Sequence, residues 1–324
     1  MVHMSMKHRV VFLERGTLPP ETVVRPFSFA HDYEVYEHTP ADEVVQRAGE
    51  ATILIVNKTR LNADVLAQLS RLRHIAVAAT GTDNIDLDYC CQHGISVSHI
   101  VGYAKNTVPE HTFALILTLR RSILAYHRSV AEGRWGQSGQ FCYFDYPVHD
   151  LSGSTIGIIG EGALGQSVAD IARGFGMKIL FAAHKGAEGM GPLYTPFETV
   201  LEASDVLTLH CPLLPSTRGL IGAAEFERMA RRPLLINTAR GGLVDEAALA
   251  DALRNGKIAG AGFDVATTEP LPEDHPFMAL MDRPDFILTP HVAWSSRAAT
   301  QALTEQLLDN IERFVGGEAY KRVA

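Results

Sequence analysis

The sequence lacks the motifs that usually bind zinc in proteins. Its 324 residues include four cysteines, Cys90, Cys91, Cys142 and Cys211, but no C-x-x-C or H-E-x-x-H pattern. The adjacent Cys90 and Cys91 do not resemble the spaced cysteines of a secreted disulfide framework, so reduced and mostly buried thiols are expected. The sequence therefore predicts no metal site and no disulfide-stabilised fold.

Long apolar runs and basic clusters are also missing. The N-terminal residues, M-V-H-M-S-M-K-H-R, lack the apolar core of a signal peptide, and no apolar run approaches the length of a membrane-spanning helix. The net charge of −8 gives no general attraction to nucleic acid or to an anionic membrane. We therefore expect a cytoplasmic protein that binds neither, and an anionic substrate would need a local cationic site.

The order of predicted elements indicates two α/β domains. A chain of 324 residues exceeds the commonest domain size. Strands are predicted at 9–14, 51–56, 74–79, 95–98, 178–183, 206–210, 234–238 and 286–289, and helices at 41–48, 63–72, 197–201, 223–229, 246–254 and 298–315. This alternation is typical of doubly wound parallel sheets.

A long helix is predicted between the two α/β segments. Thr107 and Glu110 are spaced as a capping box, in which the threonine hydroxyl accepts from the Glu110 amide and the Glu110 side chain returns the bond. The helical pattern continues to about Ala131, and a helix of this length is a candidate for the crossing between domains. Residues 135–146 are aromatic-rich without helical or strand period, so they are expected to cover a partner subunit or to pack on their own domain.

A glycine-rich turn between a strand and a helix is the best-defined motif. Gly160, Gly162 and Gly165 form G-x-G-x-x-G after an apolar run, and a helical pattern follows. In this setting the first glycine permits a tight turn, the second lets the backbone approach a pyrophosphate, and the third lets helix and strand pack closely. The helix's free N-terminal amides then face the phosphates. The motif predicts dinucleotide binding; a glycine turn that only joins a strand to a helix is the alternative.

Three residues that could carry hydride-transfer chemistry follow strands or strand-like runs of one predicted sheet. Arg240 follows the strand at 234–238, Glu269 follows the apolar strand-like run at 262–265, and His291 follows the strand at 286–289. An arginine fork suits the carboxylate of a 2-keto acid, and a histidine can give and take a proton near neutral pH. A carboxylate beside the histidine would stabilise its charged form and hold one tautomer. Each residue alone is more typical of a surface pair or a solvated turn, but their shared position at strand ends predicts convergence near the glycine loop.

Two loops after the first predicted strands could bind a substrate. Asn57 and Lys58 follow the strand at 51–56, and Gly81 and Thr82 follow the next strand. Open α/β sheets bind ligands at such strand ends, and the amides of T-G-T could hold a carboxylate. The same residue types are common in turns without a ligand, so the residues alone leave both interpretations open.

The end of the second strand of the Rossmann pattern bears on cofactor choice. A domain selective for NAD has Asp or Glu about 20 residues after the glycines, where it binds the ribose 2′-hydroxyl and repels a 2′-phosphate. Here that position is Ala183, and His184 and Lys185 follow. The missing carboxylate removes the repulsion, and the lysine could attract a phosphate. The sequence thus favours NADPH over NADH; the alternative is a solvated Lys185 and acceptance of both cofactors.

Several motifs together resemble the D-isomer-specific 2-hydroxyacid dehydrogenase family over nearly the whole chain. The matching stretches are G-T-D-N-I-D at 81–86, N-T-V-P-E-H-T at 106–112, T-I-G-I-I-G-E-G-A-L-G at 155–165, L-L-I-N-T-A-R-G-G-L-V-D-E-A-A-L at 234–249, G-A-G-F-D-V at 260–265 and T-P-H-V-A-W at 289–294. The resemblance implies a Rossmann-type coenzyme domain at 102–293, a smaller flavodoxin-like substrate domain formed by 1–101 and 294–324, and an active-site cleft at the hinge. It also implies a homodimer with the long helix and adjoining segment at the interface.

The resemblance implies roles for individual residues. Arg240, Glu269 and His291 match the catalytic positions. The residues assigned to cofactor binding are Gly160, Gly162, Ala163, Leu164, Gly165, His184, Lys185, Cys211, Pro212, Thr217, Thr238, Ala239, Asp264 and Thr107. The residues assigned to substrate binding are Asn57, Lys58, Gly81, Thr82, Arg240, His291 and Trp294. Glu161 stands where the family usually has an apolar residue, so its carboxylate must point away from the pyrophosphate.

The resemblance also implies a reaction. N-K-T at 57–59 and H-V-A-W-S-S at 291–296 are most similar to glycerate dehydrogenases, also called hydroxypyruvate reductases. The expected reaction transfers a hydride between NAD(P)H and a small 2-keto acid, with hydroxypyruvate/D-glycerate and glyoxylate/glycolate as the expected pairs. The alternatives are another D-2-hydroxyacid dehydrogenase, such as a lactate type, and a non-catalytic NAD(H)-sensing module of the same fold.

Overall fold

The chain divides into two α/β units in the computed structural model, which describes residues 7–318, 320 and 322–324. One unit comprises the described residues up to Ala104 together with those from Ser295 onward, and the other is Lys105–Trp294. The sequence predicts the two boundaries between residues 101 and 102 and between residues 293 and 294. Each unit is built on one sheet whose strands are all parallel, as predicted.

The first unit contains a five-stranded sheet in the order β2-β1-β3-β4-β5. Its elements in this part of the chain are β1 (His8–Phe12), β2 (His31–Val35), α1 (Val44–Ala48), β3 (Ile53–Val56), α2 (Ala63–Leu66), β4 (His74–Val77), α3 (Leu87–Gln92) and β5 (Ser96–Ser98). This strand order is that of flavodoxin-like sheets. The sequence missed β2 because its residues, H-D-Y-E-V, are mostly polar and lie at the sheet edge, where no apolar run is needed.

Helix α2 is shorter than the predicted helix at 63–72. The Asn62 side chain accepts from the Val65 amide and so starts the helix, but it ends at Leu66. The following residues continue in tighter turns, in which the amides of Leu69 and Leu72 donate to carbonyls three residues earlier. Both leucines are buried, so the apolar period that suggested a helix reflects core packing rather than an uninterrupted helix.

The predicted single helix at 107–131 is wrong. The structure has α4 (Thr107–Arg120) and α5 (Ile123–Ala131), separated at Ser122, whose φ of 50° and ψ of 38° lie in the left-handed region. The Ser122 hydroxyl donates to the Pro147 carbonyl at 2.6 Å, which supports this break. A third helix, α6 (Arg134–Ser138), follows where the sequence predicted no regular structure.

The second unit contains a seven-stranded sheet in the order β12-β11-β10-β9-β6-β7-β8. Its remaining elements are β6 (Thr155–Ile159), α7 (Ala163–Gly174), β7 (Lys178–Ala182), β8 (Tyr194–Thr195), α8 (Phe197–Ala203), β9 (Val206–Leu209), α9 (Ala223–Arg228), β10 (Leu234–Asn237), α10 (Glu246–Arg254), β11 (Gly260–Phe263) and β12 (Phe286–Leu288). The order is that of a Rossmann sheet with one added strand. Strand β8 escaped prediction because it has only two residues.

The last helix, α11 (Arg297–Gly316), belongs to the first unit. The Ser296 side chain accepts from the Ala299 amide at its start, and Gly317 ends it with a φ of 70°. The Phe314 ring stacks on the buried His74 of β4 with ring centroids 4.4 Å apart. The helix therefore adds its apolar face to the core of the first unit.

All four cysteines have free thiols. Their expected burial holds for Cys90, and Cys211 is half-buried, but Cys91 and Cys142 are exposed. Cys91 lies on the outer face of the short helix α3, and Cys142 lies in the irregular segment after α6. The sequence alone did not reveal which side of α3 faces solvent.

None of the described helices is both long and apolar enough to cross a membrane.

Candidate active site

The glycine loop joins β6 to α7, as the motif predicts. Gly160 has a φ of 106°, and a Cβ on Gly165 would lie 1.9 Å from the Gly160 carbonyl oxygen. Only glycine fits these two positions, so strand and helix can approach closely. A Cβ on Gly162 would meet nothing within 4 Å, and α7 begins at the next residue, Ala163. The backbone at Gly162 is thus open to a ligand.

The loop suits the pyrophosphate of a dinucleotide. Helix α7 has 12 residues, and Gly162 offers no side chain to cap the first amides, including those of Ala163 and Leu164. The Glu161 carboxylate lies near the Tyr194 hydroxyl on β8, and partial burial together with this carboxylate raises the pKa of Tyr194. Glu161 is therefore engaged toward β8. The residues present fit a nicotinamide dinucleotide, whose bound form supplies or accepts a hydride.

The end of β7 carries no carboxylate. Ala183 is buried and follows the strand directly, and the His184 amide donates to the Met190 sulfur at 3.1 Å. Lys185 Nζ lies 2.8 Å from a carboxylate oxygen of Glu225 on α9. Burial acts against ionisation of Glu225, but hydrogen bonds from Lys185 and the Gly222 amide lower its pKa. The lysine is therefore already paired with a protein carboxylate.

Strand β9 leads into the segment that contains Cys211, Pro212 and Thr217. A Cβ on Gly160 would lie 2.7 Å from the Cys211 nitrogen, so this segment contacts the glycine loop. Burial raises the pKa of the Cys211 thiol to about 11. The Thr217 hydroxyl donates to the Pro212 carbonyl and accepts from the Leu214 amide, each at 2.7 Å. Its hydroxyl thus closes a local turn beside the loop.

Arg240 follows β10 in a turn that its neighbours hold rigidly. The Asn237 side chain donates to the Arg240 carbonyl at 2.9 Å and accepts from the Ala239 amide at 3.1 Å. Thr238 is buried, and its hydroxyl lies 3.0 Å from that of Thr112 on α4. The Arg240 guanidinium donates to the Ala239 carbonyl at 2.8 Å. The turn therefore fixes the direction in which the arginine leaves the strand.

Gly241 brings the turn after β10 against the turn after β11. A Cβ at this position would lie 2.0 Å from the Ala266 carbonyl carbon and 2.4 Å from the Thr267 nitrogen. Gly241 therefore permits close contact between two strand ends.

His291 and Glu269 form the central pair of the site. His291 Nδ1 lies 2.7 Å from one Glu269 oxygen, and the other oxygen accepts from the Ala266 amide at 2.9 Å. The carboxylate therefore fixes the tautomer of the imidazole and leaves Nε2 as the outward ring nitrogen. Because Ala266 also contacts Gly241, the strand ends that carry Arg240, Glu269 and His291 converge, as predicted.

Asp264 holds the turn that presents His291. Its side chain is 1% exposed, and its two oxygens accept from the amides of Val292 at 2.9 Å and Ala293 at 2.8 Å. The Thr289 hydroxyl donates to it at 2.6 Å. These contacts lie within the protein and make Asp264 a support for His291, whereas its role in cofactor binding stays a prediction.

The predicted capping box at Thr107 is wrong. Helix α4 is preceded by Asn106, and the Thr107 hydroxyl donates to the Ala293 carbonyl at 3.0 Å instead of accepting from the helix. The acceptor comes from a distant part of the chain, so local spacing could not reveal it. This contact places the start of α4 beside the His291 turn, where the Trp294 indole also donates to the His291 carbonyl at 2.9 Å.

The loops assigned to the substrate lie in the first unit. Asn57 is buried and Lys58 exposed after β3, while Gly81 and Thr82 follow β4. The Asn84 side chain donates to the Thr59 carbonyl at 2.7 Å and so ties the two loops together. They form one structure at the carboxyl ends of neighbouring strands.

Sequence reasoning missed several supporting residues. His111 on α4 lies with Nε2 3.0 Å from the Thr289 hydroxyl and 3.7 Å from the Asp264 carboxylate. Glu246 at the start of α10 accepts from the Thr267 amide at 2.7 Å. The spacing of His111 and Glu246 in sequence carries no signal, because each contacts a segment far away along the chain. Asn237 acts locally, on the turn at Ala239 and Arg240, but the sequence identifies it only as part of the predicted strand at 234–238.

Among residues 7–318, 320 and 322–324, no cluster of three or more His, Cys, Asp or Glu side chains could hold a metal ion. The site comprises the glycine loop, an arginine and a histidine–carboxylate pair. This combination on a Rossmann sheet defines a nicotinamide-dependent dehydrogenase.

Comparisons with known proteins identify the family. Residues 113–293 match the model of the D-isomer specific 2-hydroxyacid dehydrogenase, NAD binding domain. The chain is 51% identical over 314 residues to a glycerate dehydrogenase of Methylorubrum extorquens, covering 97% of this chain and 98% of that one. It is 34% identical to a hydroxypyruvate reductase of Blautia hydrogenotrophica over 88% of each chain. The crystal structure of the TT0316 protein from Thermus thermophilus superposes with a TM-score of 0.85 at 32% identity, over 98% of this chain and 100% of that one.

The chain belongs to the D-isomer-specific 2-hydroxyacid dehydrogenase family. It is an oxidoreductase that acts on the CH–OH group of a small 2-hydroxy acid and uses a nicotinamide cofactor. The predicted fold class and family are confirmed.

Proposed function

We propose that this protein reduces hydroxypyruvate to D-glycerate and glyoxylate to glycolate. The observation that carries the proposal is the 2.7 Å distance between His291 Nδ1 and a Glu269 carboxylate oxygen. The segment that contains Glu269 also contacts the Arg240 turn, at Ala266 and Gly241. Similarity to a glycerate dehydrogenase and a hydroxypyruvate reductase supports the choice of substrate.

Arg240, His291 and Glu269 have different roles in this reaction. Arg240 binds the substrate carboxylate through its planar fork and polarises the keto oxygen. As the carbonyl carbon gains a hydride, His291 donates a proton from Nε2 to the oxygen that becomes the hydroxyl. Glu269 holds the imidazole at Nδ1 and stabilises its protonated form. In the oxidative direction His291 takes the proton back.

A panel of 2-keto acids tests the proposal. We expect purified protein to turn over hydroxypyruvate with the highest kcat/KM, followed by glyoxylate, and His291→Gln to bind cofactor but lose turnover. Highest activity on pyruvate would instead favour a lactate-type dehydrogenase. Cofactor binding without turnover of any keto acid would favour the nucleotide-sensing module.

We propose that NADPH is preferred over NADH. The absence of a carboxylate at Ala183 supports this, because nothing at the end of β7 repels a 2′-phosphate. The pairing of Lys185 with Glu225 at 2.8 Å acts in the opposite direction, since it partly satisfies the lysine charge. The preference for NADPH thus depends on whether a phosphate can compete with Glu225.

We also propose a homodimer in the cytoplasm. Helices α5 and α6 and the segment after them expose large apolar side chains, among them Trp135, Phe141 and Phe144, the last two 91% and 86% exposed. An exposed apolar surface of this kind is typical of an interface. Light scattering should give about twice the chain mass, and Phe141→Ser with Phe144→Ser should lower it; a monomeric wild type would contradict the proposal.

A further inference from the structure

A buried carboxylate lies directly beneath one of the loops assigned to the substrate. Glu14, two residues after β1, places one side-chain oxygen 2.6 Å from the Asn57 amide nitrogen, 2.7 Å from that of Lys58 and 2.6 Å from that of Thr59. Glu14 is 7% exposed and Asn57 is 5% exposed. Three consecutive amides of the loop therefore donate to a single oxygen.

Three successive amides that point to one place form an anion-binding concavity. Burial of a carboxylate is costly unless hydrogen bonds compensate, and bonds to a charged acceptor are about twice as strong as neutral ones. Here the anion comes from the protein itself. The amides of 57–59 are consequently occupied by Glu14 and do not donate to a substrate.

The same network reaches the second loop. The Asn84 side chain donates to the Thr59 carbonyl at 2.7 Å, and the Leu61 amide donates to the Asn84 carbonyl at 2.8 Å. In the part of the chain that the structure describes, the amides of Gly81 and Thr82 donate no hydrogen bond to a protein group. The amides of the second loop, at Gly81 and Thr82, can thus donate to a ligand, whereas those of the first loop are occupied by Glu14. The position of the second loop depends on the first through Asn84.

We propose that Glu14 is a positioning residue for substrate binding. The Glu14 carboxylate fixes the loop at 57–59. That loop, through the bond between Asn84 and Thr59, fixes the second loop, whose Gly81 and Thr82 amides receive the substrate carboxylate. This inference rests on the proposed reduction of a 2-keto acid. It adds the amides of the second loop to Arg240 as donors to the substrate carboxylate and gives the first loop a supporting role.

Three variants of Glu14 test the inference. Glu14→Gln keeps the size and one acceptor oxygen but removes the charge, Glu14→Asp keeps the charge with a shorter reach, and Glu14→Ala removes the acceptor. Glu50→Gln is the matched control, because Glu50 is an exposed carboxylate of the same unit that pairs with Arg71. KM and kcat for hydroxypyruvate are measured at saturating cofactor, and the Kd of the cofactor is measured by fluorescence.

We expect Glu14→Gln to raise KM about 10-fold, because hydrogen bonds to a charged acceptor are stronger than those to a neutral one. Glu14→Ala should raise KM further and Glu14→Asp should recover part of the loss, with kcat and the cofactor Kd changed less than about 2-fold. A general loss of structure would instead lower kcat and weaken the binding of both ligands together. If Glu14→Ala does not fold, the Gln and Asp variants decide the test.

An unchanged KM in folded Glu14→Gln would overturn the inference, as would a fall in kcat and cofactor binding at unchanged KM. These outcomes differ from failure of the proposed function, which would appear as no turnover of any 2-keto acid by the wild-type protein.

Discussion

His291 occupies a backbone conformation that its surroundings must impose. Its φ of 55° lies in the left-handed region, which a residue other than glycine rarely adopts. The Asp264 carboxylate accepts from the two amides that follow His291 in the chain. The Trp294 indole donates to the His291 carbonyl. Backbone strain of this kind persists only when several contacts hold it. The direction of the imidazole is thus determined by the turn and by Glu269 together.

Removal of the Glu269 charge should slow the reaction. The carboxylate lies 2.7 Å from His291 Nδ1 and holds the ring in the orientation from which Nε2 can donate its proton. Because Glu269→Gln loses the charged orienting partner, it should lower kcat about 10- to 100-fold near neutral pH.

Steady-state measurements of kcat for wild type and Glu269→Gln provide the test. Glu273→Gln is the control, because Glu273 is an exposed carboxylate close by in sequence. An unchanged kcat in a folded Glu269→Gln protein would mean that the carboxylate has another purpose.

A methyl group at position 241 should separate the parts of the site. In Gly241→Ala the new Cβ would collide with the Ala266 backbone, which must move together with the Glu269 turn. Misplacement of this kind should lower kcat/KM about 100-fold. The cofactor Kd should stay within about 2-fold, since the glycine loop lies on another strand end.

Gly174→Ala is the matched control for this effect, because a Cβ there would meet nothing within 4 Å. Wild-type kcat/KM in Gly241→Ala would contradict the role of this contact.

At the scale of elements, the site is built from the carboxyl ends of parallel strands. Strands β9 to β12 pair in one continuous parallel register, so the segments after them emerge on the same edge of the sheet. Arg240, Glu269 and His291 come from three of these segments. A parallel sheet therefore gathers residues that are up to about 50 positions apart in sequence, a general property of open α/β folds.

The residues after β7 should control cofactor choice, because Glu225 and the 2′-phosphate of NADPH compete for Lys185. Glu225→Gln removes the charge that holds the lysine and keeps an acceptor for the Gly222 amide, which donates to it at 2.9 Å. We expect this variant to raise the ratio of kcat/KM for NADPH to that for NADH about 5- to 10-fold, and Lys185→Ala to lower it similarly.

The double variant is the decisive control for this competition. If Glu225 acts through Lys185, the effect of Glu225→Gln should vanish in a Lys185→Ala background. An unchanged ratio in Lys185→Ala would show that this lysine is not the source of any preference, and equal or better efficiency of the wild type with NADH would contradict the preference itself.

At the scale of the whole chain, one ion-pair network ties the N-terminal segment of the first unit to its last helix. The Arg25 guanidinium donates to both oxygens of Glu312, at 2.7 and 2.8 Å, and to Asp309 at 2.8 Å. The bonds from Arg25, and then that from the Ser28 amide, outweigh partial burial and lower the pKa of Glu312 to about 2. Segments about 285 residues apart are thereby joined.

This network should make stability depend on pH in the acidic range. Because the pKa of Glu312 is lower in the folded than in the unfolded state, its contribution is complete above the ordinary carboxyl range and is lost as pH falls toward 2. Glu312→Gln should therefore lower the free energy of unfolding by about 1–2 kcal/mol at pH 7 and by much less at pH 3.

Urea unfolding of both proteins at the two pH values measures this difference. Glu305→Gln is the control on the same helix, since Glu305 is exposed and its side chain contacts the uncharged Gln301. A destabilisation that does not change with pH would exclude the ion pair as its cause.

The sequence by itself was sufficient for most inner strands of the two sheets, for the glycine loop, and for the position of Arg240, Glu269 and His291 at strand ends of one sheet. These depend on local signals: buried apolar runs, glycines at fixed spacing, and polar residues that directly follow strands. Strand β2 was missed because an edge strand need not be apolar, and the break at Ser122 was missed because its support comes from Pro147. Local patterns carry no record of such distant partners.

Only the tertiary structure decided how the functional side chains are supported. Thr107 donates to the Ala293 carbonyl instead of capping its helix, and Lys185 pairs with Glu225. The Glu14 carboxylate accepts hydrogen bonds from the amides of a loop more than 40 residues away. Each is a polar contact between segments that folding brings together. A buried or partly buried polar group must find a partner, but which partner it finds depends on the packing of strands and helices and not on its neighbours in sequence.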